Sequence, residues 1–234
     1  MIAAIEVTFT DGSTQTIVSD DTWVANNATS GFESINYDDS SWPTAYELAA
    51  ANSSPWHTPA SPPSPSSLSL ASSQWIWTDE ISGPGGAAPV GNRAFRKDIS
   101  IPGNVPATGG TIVISTDNAY TLYINGQEIG SSNNWQIAQR WTFTLGTPSR
   151  DILVAVNADN TGGAAGVIVA LDLTVATGSC SAYVNYVTDS SWVYSLTVPA
   201  GFQYSNFSDS GWPNAEEEGL WGVGPWGHIS IENA

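Results

Sequence analysis

A chain of 234 residues that is 41% hydrophobic and carries 11 Trp has the material for a sizeable core and is not a disordered segment. Its 22 acidic and 5 basic residues leave a formal net charge of -17, which repels phosphate backbones and anionic bilayers and sets aside nucleic acid and membrane insertion. The single cysteine, Cys180, closes no intrachain disulfide and is expected as a free buried thiol. No apolar run approaches the length of a membrane span, and the opening Met1-Ile-Ala-Ala-Ile-Glu-Val lacks the charged start of a signal peptide, so the chain is expected to be cytosolic or to lack its leader.

In chain order, short runs of β-branched and aromatic residues recur, each closed by Asp-Gly, Asn-Gly or other Gly-rich turns: Glu6-Val-Thr-Phe-Thr, Gly110-Thr-Ile-Val-Ile-Ser, Tyr120-Thr-Leu-Tyr-Ile and Asp151-Ile-Leu-Val-Ala-Val. Nothing reads as a long amphipathic helix, and the spacing predicts an all-β antiparallel β-sandwich of the jelly-roll kind. Asn125-Gly126 predicts a tight hairpin, because both residues tolerate positive φ. The Pro/Ser-rich stretch 58–73 is expected to be a linker, with the next unit opening at Gln74-Trp-Ile-Trp. Trp75, Trp77, Trp141, Trp192 and Trp212 are expected in the core. Sequons at Asn27, Asn52 and Asn206 carry little weight in a chain this rich in Ser and Asn.

An internal repeat organises the chain. Ser19-Asp-Asp-Thr-Trp matches Thr188-Asp-Ser-Ser-Trp, Gly31-Phe32 matches Gly201-Phe202, and Tyr37-Asp-Asp-Ser-Ser-Trp-Pro-Thr-Ala matches Phe207-Ser-Asp-Ser-Gly-Trp-Pro-Asn-Ala. Pro55-Trp56 likewise matches Pro225-Trp226, and Ile2-Ala-Ala-Ile-Glu-Val aligns with Ile168-Val-Ala-Leu-Asp-Leu. Residues 1–57 therefore repeat only the later strands of a unit that is complete in 74–234. Such strands expose edges and an apolar face unless something completes them, either another part of the chain or a second copy.

Few residues could carry chemistry. Asp117-Asn118 places two hard oxygen donors side by side between two apolar strands, a set that suits calcium and equally an ordinary turn. Val156-Asn-Ala-Asp-Asn-Thr-Gly-Gly-Ala-Ala-Gly166 is a polar, Gly-rich loop able to offer carbonyls to a metal and a close approach to a ligand, or simply a long hairpin. Trp135, among small polar residues, could present a flat face to a sugar ring. The parts of an enzyme are lacking: there is no nucleophile elbow, no zinc spacing and no phosphate loop, and the two histidines, His57 and His228, both follow a repeated Pro-Trp. Glu216-Glu-Glu218 reads as a solvated surface and not as a glycosidase acid/base pair.

Together, Trp75-Ile-Trp, Arg93-Ala-Phe-Arg-Lys, Ser115-Thr-Asp-Asn-Ala-Tyr-Thr-Leu-Tyr-Ile-Asn-Gly126, Trp135, Leu153 to Gly166 and the Trp192 and Trp212 motifs resemble the galactose-binding-like jelly-roll modules of bacterial α-L-rhamnosidases. They are also similar to lectins of the oyster-mushroom type. The resemblance implies a calcium ion held by Asp117, Asn118 and a main-chain oxygen near Ala164, with two vicinal hydroxyls of a sugar completing its shell. It implies sugar contacts at Gly130, Trp135, Asn160 and Gly163, a galactoside or rhamnose-like carbohydrate as partner, and no catalysis. This chain has Ala164-Ala165 where many relatives carry a proline before Ala-Gly. The partial copy in 1–57 begins after the site motifs, so one site per chain follows, and agglutination would require a homodimer or larger assembly. The alternatives are a non-catalytic fragment of a rhamnosidase-like hydrolase and a calcium-stabilised sandwich without a sugar site.

Overall fold

The computed structural model describes residues 3–8, 14–27, 30–46, 68–101, 106–177 and 180–234. The expectations for Pro55-Trp56, His57, the Asn52 sequon, the Cys180 side chain and residues 58–67 lie outside the described residues. The chain divides into two units, Met1–Pro62 and Pro63–Ala234. Among the described residues no helix is long and apolar enough to cross a membrane.

The larger unit is a sandwich of two sheets. One orders β13 (Glu216–Leu220), β3 (Gln74–Trp77), β10 (Gly166–Thr177), β5 (Ala107–Asp117), β8 (Ile137–Ser149) and β14 (Ser230–Asn233), with β11 (Cys180–Val187) also paired to β10. The other orders β12 (Val193–Ser195), β4 (Gly91–Ser100), β9 (Asp151–Asn160), β6 (Ala119–Ile124) and β7 (Gln127–Ser132). The described pairings are antiparallel except that β14 runs parallel to β8, which is a departure from the wholly antiparallel expectation. The Asn125-Gly126 hairpin joins β6 to β7, with φ of 49° and 84° at its two residues and Ile124 facing Gln127 across the turn.

Three layers of apolar packing explain why β9 and β10 read as continuous hydrophobic runs and do not alternate. Between the sheets lie Trp77, Phe95, Ile112, Ile114, Leu122, Val154, Val156, Val167 and Val169. The outer face of the larger sheet packs Trp75, Val113 and Ile168 under Leu68, Leu70, Trp226 and Ile229. The outer face of the smaller sheet packs Ala94, Leu153 and Ala155 under Phe202. Sheets covered on both faces lose the polar-out alternation of a half-solvated strand. The cover on the larger sheet corrects the linker expectation: Leu68 and Leu70 are buried and Ser73 Oγ donates to Val169 O at 2.8 Å, so this end of 58–73 belongs to the sandwich, its two leucines masked by Pro/Ser composition. Trp75, Trp77 and Trp192 are buried as expected, while Trp141 and Trp212 are half-buried.

Buried Arg96 fastens the cover on the smaller sheet. Its Nε donates to Asp209 Oδ2 at 2.8 Å, its guanidinium also donates to Phe202 O and Tyr204 O, and the Phe207 ring lies 5.6 Å from Cζ. Arg93 forms a forked pair, with Glu80 Oε2 at 2.6 Å and Oε1 at 2.9 Å.

The smaller unit pairs β1 (Ala4–Thr8) with β2 (Thr14–Val18), the counterparts of β10 and β11. The sequence repeat is a repeat of hydrogen bonds. Ser19 N donates to Ala3 O at 2.9 Å and Thr188 N to Val169 O at 3.0 Å; Ala45 N donates to Trp23 O at 2.6 Å and Ala215 N to Trp192 O at 2.8 Å. Trp23 Nε1 donates to Val18 O at 2.9 Å and Trp192 Nε1 to Val187 O at 3.1 Å. Tyr37 meets Trp42 edge-on at 5.6 Å as Phe207 meets Trp212 at 5.8 Å. What differs is burial: Phe32 is 55% exposed where Phe202 is 3% exposed.

Candidate functional site at the end of strand β5

β5 ends on Asp117, and its antiparallel partner β10 begins opposite it, Gly166 facing Asp117. This register brings the Gly-rich loop between β9 and β10 onto the Asp-Asn step, and main-chain and side-chain bonds fix it there. Asn118 N donates to Asp159 O at 2.9 Å, and Thr161 N donates to Asn118 Oδ1 at 2.7 Å. Asn118 Nδ2 in turn donates to Asp117 Oδ1 at 2.8 Å. The Asp117–Asn118 peptide is cis. Asp117 is buried, Asn118 is half-buried and Thr161, Gly162 and Gly163 are exposed, so the oxygens sit at the floor of an open rim.

The loop is built on glycines that adopt φ of 137° at Gly162 and 85° at Gly163, a region that side-chain-bearing residues avoid. Asn160 holds it from behind. Fully buried, its Nδ2 donates to Ala88 O at 3.0 Å and Pro89 O at 3.1 Å, while its Oδ1 accepts from Gly162 N at 2.9 Å. That placement makes the Asn160 side chain a loop support, which differs from the sugar contact expected of it. Ala164 pairs with Ala87, and Ala88 N donates to Gly163 O at 2.9 Å, so the 78–90 segment buttresses the loop along its length.

Trp135 is half-buried against the outer cluster of the larger sheet, and its carbonyl accepts from Ser115 Oγ at 2.8 Å, two residues before Asp117. Gly130 lies on β7, where a Cβ would meet the Trp141 ring at 2.3 Å; its lack of a side chain serves the packing of that ring. The site thus gathers Asp117, Asn118, Gly163 and Ala164, with Trp135 tied to the same strand end, and places Gly130 under Trp141.

Two residues escaped the sequence reading. Trp226 stacks on Trp75 at 4.4 Å and donates Nε1–H to Asp117 Oδ2 at 3.0 Å. The repeat of Pro55-Trp56 at Pro225-Trp226 was the available signal. Glu218 corrects the solvated reading of Glu216-Glu-Glu218: Glu216 and Glu217 are exposed, but a bulge in β13 between Glu217 and Gly219 turns Glu218 inward, to 2% exposure. Its Oε2 accepts from Gly85 N at 2.9 Å.

Two buried acids, Asp117 at the site and Glu218 on β13, have no cationic partner among the described residues. Burial pushes the Asp117 carboxyl up and the Trp226 N–H pulls it back. Burial pushes Glu218 up to about 7, opposed by the Gly85 N–H and reinforced by the charge of Asp117. All five basic side chains are engaged elsewhere: Arg93 with Glu80, Arg96 with Asp209, Lys97 with Ser191, Arg140 with Leu68 O and Arg150 with Ile101 O. Among the described residues the donors here are the Asp117 carboxylate and the Asn118 amide oxygen, without thiol or imidazole, hard oxygens of the kind that fit calcium. Two open depressions, of about 230 and 240 Å³, lie elsewhere, around Asn125 and Leu153 and around Tyr194 and Trp212, and neither is lined by a buried acid.

No family model matches the chain. It is similar to a lectin of Pleurotus ostreatus solved in complex with GalNAc: 38% identity, TM-score 0.64, covering 100% of this chain and 67% of that one. It is also 33% identical over 197 residues to an α-L-rhamnosidase of Streptomyces avermitilis, matching 81% of this chain and only 18% of that protein's length. The structure of the Streptomyces avermitilis enzyme complexed with L-rhamnose gives 32% identity and a TM-score of 0.60 over 69% of this chain and 16% of that one. The fold and these likenesses define a galactose-binding-like jelly-roll module. The chain belongs to the family of the oyster-mushroom lectin.

Proposed function

We propose that the chain is a non-catalytic carbohydrate-binding protein that takes up a sugar through vicinal hydroxyls on a bound calcium ion. The observation that carries the reading is the buried Asp117 carboxylate, joined to Asn118 and to the glycine loop, with no cationic side chain to neutralise it. Asp117, Asn118 and a main-chain oxygen near Ala164 would hold the ion, which supplies charge neutralisation and open positions for hydroxyl oxygens. Gly163 on the exposed rim leaves room for the ring to approach, Trp135 offers an apolar face, and Asn160 keeps the loop in shape. GalNAc in the mushroom lectin and L-rhamnose in the bacterial enzyme both support a sugar ligand, and the mushroom lectin supports a galactoside.

An open site of this size binds a monosaccharide with a dissociation constant on the order of 10⁻⁴ to 10⁻³ M, so avidity would come from a homodimer or larger assembly. The likeness to the rhamnosidase favours a second reading, a rhamnose-binding module of a longer hydrolase. Calorimetric titration with galactose, melibiose and L-rhamnose separates the two, run with calcium and after chelation. Heat that appears for one sugar only with calcium names the ligand class. In Asp117→Ala both calcium and sugar binding should vanish, and retained affinity in that variant would refute the assignment.

A further inference from the structure

We propose that Glu218 is a second carboxylate of the cation site, contributing its negative charge to the hold on the ion alongside Asp117. The proposal rests on the calcium reading above and extends it to a residue outside the Asp-Asn step. Glu218 is 2% exposed, and one oxygen, Oε2, accepts from Gly85 N, while the other, Oε1, has no hydrogen-bond partner among the described residues. A buried carboxylate oxygen without a partner is costly, and the charge of a nearby cation offsets that cost.

Packing leads from Glu218 to the site. The Gly85 that it binds lies against Pro225, so closely that a Cβ there would meet Pro225 Cδ at 2.6 Å. The next residue, Trp226, bonds Asp117 Oδ2. Glu218, Gly85, Pro225, Trp226 and Asp117 form one continuous run of contacts, and the charge of Asp117 acts on Glu218. Two buried acids in one electrostatic neighbourhood repel each other unless one keeps a proton, as the raised Glu218 does without metal, or a cation compensates both charges. The protein supplies none, since its five basic side chains are held by other partners. A divalent cation at the Asp117 end of this run removes the conflict.

The test compares the full chain with Glu218→Gln, whose amide oxygen still accepts from Gly85 N, and with Glu218→Asp, which keeps the charge on a shorter arm. Calcium affinity is read by calorimetry at pH 7.5, and Tm is read in chelator and in saturating calcium. Removing a supporting carboxylate weakens calcium binding by about 10-fold or more, so E218Q should show that loss, with a Tm in chelator equal to or above that of the parent. Glu218→Asp should bind calcium more tightly than E218Q. A purely structural role predicts the reverse pattern, a lower Tm in chelator with unchanged calcium affinity, and that result overturns the proposal. Equal loss in the Gln and Asp variants overturns it too, because charge would then not be the cause. If D117A loses calcium while E218Q binds it as the parent does, this proposal falls and the calcium reading stands. If the parent chain takes up no calcium, both fall.

Discussion

Replacing Arg96 by Met tests what holds the cover of the smaller sheet in place. Met fills much of the same space without the fork, so the change isolates the polar contacts. Arg96 is 1% exposed at the side chain and its partner Asp209 is 25% exposed, so their pair is largely desolvated, whereas Asp98, at 3.7 Å and 63% exposed, adds little. Breaking a buried pair by removing one partner costs about 3–5 kcal/mol. The half-open position of Asp209 places the estimate at the lower end, about 3 kcal/mol, with the orphaned carbonyls of Phe202 and Tyr204 included. For a unit of this size that is a fall in Tm of about 6–12 °C. Differential scanning calorimetry gives the Tm, and urea unfolding followed by Trp fluorescence gives the free energy. A loss below about 1 kcal/mol with an unchanged urea slope would show that the cover is held by Phe202 and its apolar neighbours and not by the arginine.

Two further outcomes are expected. Gly130→Ala drives a methyl group into the Trp141 ring, with contacts near 2.3 Å that must open, and should cost about 1–3 kcal/mol with a shifted Trp emission; unchanged stability would show that the ring moves freely. In chelator, stability should fall as pH rises from about 4.5 to about 7. Across that window folded Glu218 keeps a proton that the unfolded chain has already released, so the stabilisation present below 4.5 is lost as pH passes its folded value of about 7. Glu80, held below its ordinary value by Arg93, acts in the opposite sense and only below 4.5, while Asp98 and Asp117, pushed up by burial, act in the same sense as Glu218. A chelated stability profile that is flat between pH 4.5 and 7 in the parent would contradict the assignment to Glu218.

The fold was legible in the sequence where the chain punctuates itself. Asn125-Gly126 marks a turn whose backbone requirement few other residues meet, and the runs from Ile152 to Val156 and Val167 to Leu173 are buried strands. Asp117-Asn118 and the glycine loop were legible as separate signals, and pairing of Gly166 with Asp117 unites them. Other features depend on contacts that no local pattern encodes. Trp226 reaches Asp117 across 109 positions, and Glu218 points inward because a bulge breaks the alternation of β13. Leu68 and Leu70 lay hidden in a run of Ser and Pro, though each fills space over the larger sheet.

The bends around Gly31 and Gly201 keep the same shape although one carries an exposed phenylalanine and the other a buried one. Their form is therefore dictated by bonds that span a few residues, such as Ser34 N to Gly31 O and Tyr204 N to Gly201 O, and not by the surface beneath. A segment with so short-ranged a code is portable: transplanted onto a different sheet it would keep its outline, and duplication could copy it without carrying along the strands it covers. In a folding chain such short-range bonds close with little loss of loop entropy, ahead of the long-range strand pairings.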